Sequence, residues 1–125
     1  MIIDTDVLIW GARGNDRACS EIQNIKSPKI SCITAMELLQ GARDKAEQKK
    51  FFNLLKSWNI EIVHINENIS TLAMQYNRDF SLSKGIGIED ALIAATVIEK
   101  SEELFTANDK HFNYVTGLKI RKFRP

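Results

Sequence analysis

The chain has 125 residues, a formal net charge of +1 and 44% hydrophobic residues. This length and hydrophobic content are typical of one compact domain and exclude an intrinsically disordered chain. The small net charge excludes a strong attraction of the whole molecule to nucleic acid, so any such attraction must come from a local patch. We therefore predict a single domain over residues 1–125.

The sequence predicts a protein of the cytoplasm without membrane association. No apolar run is long enough to cross a bilayer. No signal peptide is visible, because Asp4 follows directly after Met1-Ile2-Ile3. Cys19 and Cys32 lack CxxC spacing, and we expect two reduced, buried thiols.

In the first half of the chain, short apolar runs alternate with segments of helical periodicity. Met1–Ile3 predicts a buried parallel strand, and a short helix or turn follows through Trp10. The next predicted elements are a helix capped by Asp16 and ended at Ser27-Pro28, a strand over 29–33, a helix from Thr34 to near Gly41, and a helix over 45–58.

The second half continues the alternation. Its predicted elements are a strand over 60–65, a helix over 67–79, a loop at 85–87, a helix from Glu89 to Lys100, a strand over 104–106 and a last strand over 118–120. Alternating strands and helices indicate an α/β domain with a mostly parallel sheet of four to five strands and helices on both faces.

Polar side chains follow the predicted strands. In an open parallel sheet, sites form beyond the carboxyl ends of the strands. If strands one, two and four are neighbours, the acids near those ends converge. The residues concerned are Asp4 and Asp6 after strand one, Thr34 and Glu37 after strand two, Asp90 at the start of the helix before strand four, and Asn108 and Asp109 after strand four.

Carboxylates that lie a few ångströms apart raise one another's pKa, and a divalent cation relieves this repulsion. Mg²⁺ and Mn²⁺ prefer oxygen ligands and retain several waters. Such an ion activates water and offsets charge on a phosphodiester. The acids therefore indicate metal-assisted phosphoryl chemistry, and they do not choose the substrate.

Four segments in order resemble one known family. They are Ile3-Asp4-Thr5-Asp6-Val7-Leu8-Ile9, Ser31 with Thr34-Ala35-Met36-Glu37-Leu38, Asp90-Ala91-Leu92-Ile93-Ala94-Ala95, and Thr106-Ala107-Asn108-Asp109-Lys110-His111-Phe112. With these segments the chain resembles the PIN-domain ribonucleases, specifically the VapC-type toxins of bacterial toxin–antitoxin pairs. Each segment alone is weak, and together they cover nearly the whole chain.

The resemblance implies a three-layer α/β/α sandwich that binds Mg²⁺ or Mn²⁺ and cuts RNA. It also implies a cognate antitoxin and a homodimer. Asp4 and Asp90 match the principal metal-binding acids, Glu37 matches the third acid, and Asn108 matches a fourth position. Thr106 and Thr5 match small polar residues beside the site.

Two positions depart from the family pattern. Asp6 stands where relatives usually carry Asn, so it is either an extra metal ligand or a side chain that points away. His111 stands where many relatives carry an acid, which leaves the second metal position open. Asp109 is then either a substitute ligand or a plain loop residue.

Several residues have a second interpretation that involves no ligand. Asp4 could cap the following helix, and Thr34-x-x-Glu37 is a capping box. The basic run from Lys119 to Arg124 either contacts RNA phosphates or forms a solubilising tail. The aromatic side chains of Phe51, Phe52 and Trp58 are candidates for an exposed dimer interface.

Two other functions compete with the ribonuclease. Asp4-Thr5-Asp6 after a strand superficially fits a haloacid-dehalogenase-like phosphatase with Asp4 as nucleophile, but Val7-Leu8 departs from that motif and no later Gly-Asp pair follows. The third candidate is a non-catalytic binding protein of the same fold, against which Asp4, Glu37 and Asp90 argue.

Overall fold

Five parallel strands form one sheet in the order β3-β2-β1-β4-β5. The computed structural model describes all residues, Met1–Pro125. The strands are β1 Ile2–Ile3, β2 Lys29–Ser31, β3 Glu61–Val63, β4 Glu103–Thr106 and β5 Lys119–Lys122. The predicted neighbourhood of strands one, two and four is thus confirmed.

Six helices connect the strands. They are α1 Thr5–Ala12, α2 Asp16–Gln23, α3 Cys32–Gly41, α4 Lys45–Ser57, α5 Glu67–Lys84 and α6 Ile88–Glu99, and a 3₁₀ turn occupies Asp109–His111. The α/β fold class predicted from the alternation is confirmed. No helix combines the length and the low charge needed to cross a membrane.

Both faces of the sheet are covered, which gives three layers. Ile2 packs with Ile93 and Val97 of α6, whereas the next residue, Ile3, packs with Val7 of α1 and Ile22 of α2. All six side chains are fully or almost fully buried. Successive residues of a strand point to opposite faces, so the apolar run at the start of the chain supplies both halves of the core.

The sheet order places a crevice above β1. The chain leaves β1 for β2 and β3 on one side, and it returns to β4 and β5 on the other side. The direction of the connections therefore changes next to β1, between the carboxyl ends of β2 and β4. Ligand sites of open α/β sheets lie at this kind of position.

Several predicted boundaries were wrong. The cap of α2 is Asn15 rather than Asp16, and β2 ends at Ser31 because this residue already caps α3. Helix α5 continues to Lys84, where Gly85 ends it with a left-handed φ of 68°. Cys19 and Cys32 are free thiols, but both are half-buried rather than buried.

The predicted exposure of three aromatic side chains was wrong. Phe51, Phe52 and Trp58 are partly buried and pack against the core beneath α1 to α4. Their role in a dimer interface stays a prediction. The large apolar side chains that are exposed lie elsewhere, at Trp10, Met36, Leu39, Met74, Leu82 and Ile88.

Candidate functional site

Asp4 lies at the centre of the crevice, directly after β1, and is only 6% exposed. Its Oδ1 accepts a hydrogen bond from the Thr5 N–H at 2.8 Å, and its Oδ2 accepts one from Thr106 Oγ1 at 2.8 Å. Asp4 is the N-cap of α1. The capping interpretation is therefore correct, and it does not exclude a site role, because each oxygen keeps lone pairs for a further partner.

Glu37 is bound across the crevice and does not cap its own helix. Helix α3 begins at Cys32 with Ser31 as its N-cap, so Thr34 lies inside the helix. Glu37 Oε1 instead accepts a hydrogen bond from Thr5 Oγ1 at 2.7 Å, and Thr34 Oγ1 lies 2.9 Å from the same hydroxyl. The capping-box interpretation was wrong, and Glu37 is joined to the residue next to Asp4.

Asp90 approaches from the other side, in the first turn of α6. Gly87 precedes this helix without a side-chain cap, and a carboxylate in the first turn is favoured by the helix dipole. The Asp90 carboxylate is half-buried, and its Oδ2 lies 3.7 Å from His111 Nδ1. His111 therefore faces Asp90, as a cation when protonated.

Asp6 turns toward the site and not away from it. Its Oδ1 accepts from the Val7 N–H at 2.7 Å, and its Oδ2 accepts from the Ala107 N–H at 3.2 Å. Ala107 follows β4, so Asp6 links α1 to the loop that carries Thr106. Asp6 is close enough to Asp4 for its charge to act on it, as the pKa of Asp4 shows.

The residues after β4 divide into two groups. Thr106 is fully buried and contacts Asp4. Asn108 is exposed, and its backbone N–H, not its amide, contacts Thr106 Oγ1 at 2.9 Å. Asp109 pairs with Arg124 at 2.9 Å and Lys122 at 3.8 Å, and the hydrogen bond from Arg124 lowers the pKa of Asp109. The structure thus brings Thr106 into the site and turns Asp109 to the C-terminal strand.

The surroundings of the four acids in the crevice disfavour their ionised forms. Burial, and then the charge of Asp6, raise the pKa of Asp4 to about 7. Burial is also the largest cause that raises the pKa of Asp6, Glu37 and Asp90, and the Asp90 charge adds to it at Asp6 and Glu37. No lysine or arginine forms a salt bridge with any of the four.

The donor chemistry of this cluster fits a hard divalent cation. As the side chains stand, no three of the acids, histidines or cysteines surround a common point. The fit rests instead on four carboxylates that share one crevice without a basic residue to neutralise them. A divalent ion with oxygen ligands and retained waters satisfies such a set without requiring every acid to contact it.

The C-terminal strand fastens the loop that holds two of the acids. The Phe123 N–H donates to the Thr106 carbonyl at 2.8 Å, and Arg124 Nη1 donates to the Ala107 carbonyl at 3.2 Å. Thr106 and Ala107 in turn donate to Asp4 and Asp6. This link has no local sequence pattern, because Thr106 and Ala107 lie 102 and 101 positions from the acids that they contact.

The basic run from Lys119 to Arg124 is largely committed to the protein itself. Arg121 lies over the Phe105 ring, 4.8 Å from its centroid, and 3.6 Å from a Glu21 oxygen. Lys122 and Arg124 share Asp109. Three of the four cations therefore have an internal partner, which favours a structural role over a solubilising tail.

The geometry agrees with comparisons to known proteins. A family model for the PIN domain matches residues 1–118. Ribonuclease VapC1 of Methanocaldococcus jannaschii is 33% identical over 124 residues, which cover 96% of this chain and 85% of that protein. The chain belongs to the PIN-domain family. Within it, the chain belongs with the VapC ribonucleases.

Solved structures show the same fold. A toxin–antitoxin complex from Klebsiella pneumoniae contains a chain with a TM-score of 0.77 at 25% identity, covering 94% of this chain and 93% of that one. VapBC2 of Rickettsia felis, bound to a DNA fragment from its promoter, gives a TM-score of 0.82 at 20% identity, covering 98% of each chain. The family also excludes the haloacid-dehalogenase alternative.

Because the charge of Asp4 is buried, we predict that this PIN domain is more stable when a neutral residue replaces Asp4. Between the ordinary pKa of 3.8 and the folded value of about 7, the folded chain holds a proton that the unfolded chain releases. The contribution of Asp4 to the free energy of unfolding is therefore greatest at low pH and is lost as the pH rises to 7. In EDTA at pH 8, Asp4→Asn should raise the free energy of unfolding, by at most about 4 kcal/mol for a pKa shift of this size, and the gain should shrink toward pH 5.

Urea unfolding at both pH values measures this effect. Asp79→Asn is the matched control, because Asp79 is exposed and pairs only with Arg78. A lower stability of Asp4→Asn at pH 8 than of the wild type would show that the Asp4 charge is not destabilising.

The link through Arg124 predicts a loss of activity at a distance. Arg124→Ala removes the hydrogen bonds to Ala107 and Asp109 and should lower kcat for RNA cleavage about fivefold, as expected for about 1 kcal/mol. KM should change little, and Mn²⁺ affinity, measured by calorimetry, should fall. Arg124→Lys should restore part of the loss, whereas Lys119→Ala, an exposed change on the same strand, should have no effect. Equal kcat and Mn²⁺ affinity in Arg124→Ala and the wild type would contradict the link.

Proposed function

We propose that the chain is an endoribonuclease that depends on Mg²⁺ or Mn²⁺ and acts as the toxin of a toxin–antitoxin pair in the cytoplasm. One observation carries the activity: Asp4, Asp6, Glu37 and Asp90 share the crevice above β1 and have no lysine or arginine partner. Relatives of the chain are named ribonucleases. The proposal includes one PIN domain over residues 1–125.

The roles of the acids follow from their placement. Asp4 and Asp90 would hold the cation from opposite sides of the crevice, and Glu37 would bind it or orient the attacking water. A bound divalent ion supplies charge stabilisation and an activated water for hydrolysis of a phosphodiester. Asp6 is the better candidate for a fourth ligand than Asn108, since the Asp6 carboxylate acts on Asp4 while the Asn108 side chain makes no hydrogen bond.

The hydroxyl groups fix the direction of these carboxylates. Thr106 donates to Asp4 Oδ2, and Thr5 donates to Glu37 Oε1. Both carboxylates keep further oxygen lone pairs free for another partner. Preoriented acids lose little conformational freedom when an ion binds, which favours a site held ready for substrate.

Removal of a single acid should abolish cleavage. Asp4→Asn and Asp90→Asn should each lower the rate of Mg²⁺-dependent RNA cleavage by at least about 100-fold, as expected when about 3 kcal/mol of charge stabilisation is lost. Asp79→Asn is the control and should cleave normally. Labelled RNA resolved on a denaturing gel, with the 5′ end of the product analysed for phosphate, measures both rate and chemistry.

Two results would decide against the proposed mechanism. Full activity in both Asp4→Asn and Asp90→Asn would exclude the acidic centre. Absence of Mn²⁺ and Mg²⁺ binding by calorimetry in the wild type would support the non-catalytic alternative.

A cavity beside Glu37 supports the antitoxin partner. It has a volume of about 410 Å³ and lies between α1, α3 and α4. Ile9, Leu38 and Phe51 give it apolar walls, and Arg13 and Lys50 lie at it without a salt-bridge partner. An antitoxin segment with apolar and acidic side chains fits these walls and would cover Glu37. We also propose a homodimer, for which Met74, Leu82 and Ile88 are the exposed apolar candidates.

Reversal of the two free cations should weaken the antitoxin complex. The double variant Arg13→Glu with Lys50→Glu should lower affinity for the product of the adjacent reading frame at least about tenfold, because like charges replace a complementary contact. Lys100→Glu, an exposed change on a distant surface, is the control. Unchanged co-purification of the double variant would show that the partner binds elsewhere.

A further inference from the structure

A second cavity lies on the opposite side of the acidic centre, next to Asp90. It has a volume of about 300 Å³, at the lower end of the range of about 300 to 1,000 Å³ typical of small-ligand sites. Its walls come from the end of α5, the start of α6, the 3₁₀ turn and the segment after that turn. Asp90 is the only carboxylate among the lining residues.

Two lysines give this cavity a positive rim. Lys84 and Lys110 line it, and neither forms a salt bridge or a side-chain hydrogen bond in the protein. Lys84 is the last residue of α5, where the helix dipole favours a cation. Two free ammonium groups beside a catalytic acid suit a phosphate group of a nucleic acid strand.

The floor of the cavity is apolar and held in place. The Tyr114 ring packs on Phe80 with 4.9 Å between ring centroids. Ile86 is buried, and its carbonyl accepts a hydrogen bond from Asn77 Nδ2 at 3.4 Å. Burial and then the Asp90 charge raise the pKa of Tyr114, so this ring lies within electrostatic reach of the acid. A fixed aromatic ring beside free cations is the arrangement on which unpaired bases stack.

This composition differs from that of the cavity beside Glu37. There the cation Arg43 is neutralised by Glu47 at 2.8 Å, and the walls are more apolar. Beside Asp90, the walls hold two lysines, His111, Asn113 and Tyr114. Each cavity has two unpaired cations and one acid of the centre, so the two differ in polarity rather than in charge. The more polar walls beside Asp90 favour a nucleotide there, and the more apolar walls favour a peptide in the cavity beside Glu37.

We propose that the cavity beside Asp90 binds one nucleotide of the RNA, adjacent to the phosphodiester that is cleaved. Its phosphate lies against Lys84 and Lys110, and its base lies on Tyr114. This subsite rests on the proposed ribonuclease function and adds to it the path of the strand, which leaves the acidic centre on the Asp90 side and not on the Glu37 side.

Binding and cleavage of RNA by lysine variants test the subsite. For binding, the changes are made in the Asp4→Asn background with a fluorescent single-stranded RNA pool as probe. The double variant Lys84→Ala with Lys110→Ala should raise Kd about tenfold and lower the slope of log Kd against log salt by about 1.4. The pair Lys100→Ala with Lys119→Ala removes the same charge from other surfaces and is the control.

Cleavage kinetics separate a substrate contact from damage to the metal centre. In protein that retains Asp4, the double variant Lys84→Ala with Lys110→Ala should raise KM about tenfold. It should leave kcat within about twofold and Mn²⁺ affinity unchanged. Tyr114→Leu should also raise KM, while Tyr114→Phe, which keeps the ring, should not. Loss of Mn²⁺ affinity together with kcat would assign the lysines to the metal centre and overturn the subsite.

The outcomes distinguish this inference from the proposed function. If the wild type cleaves RNA and the Lys84 and Lys110 double variant matches it in KM and salt slope, the subsite is wrong and the function stands. If Arg13→Ala with Lys50→Ala weakens RNA binding instead, the strand passes Glu37. If the wild type neither binds nor cleaves RNA, both the function and the subsite are wrong.

Discussion

Unfavourable burial of negative charge is the constraint on which the site depends. Four carboxylates lie in the crevice above β1, and the protein provides them with hydroxyl and amide donors but with no lysine or arginine. Asp4 is the most affected, with a pKa raised to about 7. A fold that tolerates this repulsion retains an electrostatic preference for a cation, which a neutralising salt bridge would remove.

The rest of the molecule supports this arrangement from a distance. The apolar β1 strand buries Ile2 and Ile3 on opposite faces of the sheet, which fixes Asp4 at its end. Thr106 at the end of β4 holds one Asp4 oxygen, and the C-terminal strand holds the loop after Thr106. The stability of the outer strand β5 and the geometry of the acids are thus physically connected.

The two cavities beside the acidic centre have different linings. Glu37 lines the more apolar one, and Asp90 lines the more polar one. An inhibitor and a substrate that approach from different sides could still compete, because both would reach the same acids.

The sequence by itself determined the α/β alternation, the parallel sheet and the acids that follow its strands, because periodicity and strand ends are local properties. Through the resemblance of its ordered motifs, it also predicted Asp4, Glu37 and Asp90 as site residues. Only the tertiary structure decided that Glu37 accepts from Thr5 and not from its own helix, that Asp6 faces the centre, and that Asp109 belongs to Arg124. These contacts join residues far apart in the chain, and local sequence carries no signal for which distant hydrogen-bond donor reaches a given carboxylate.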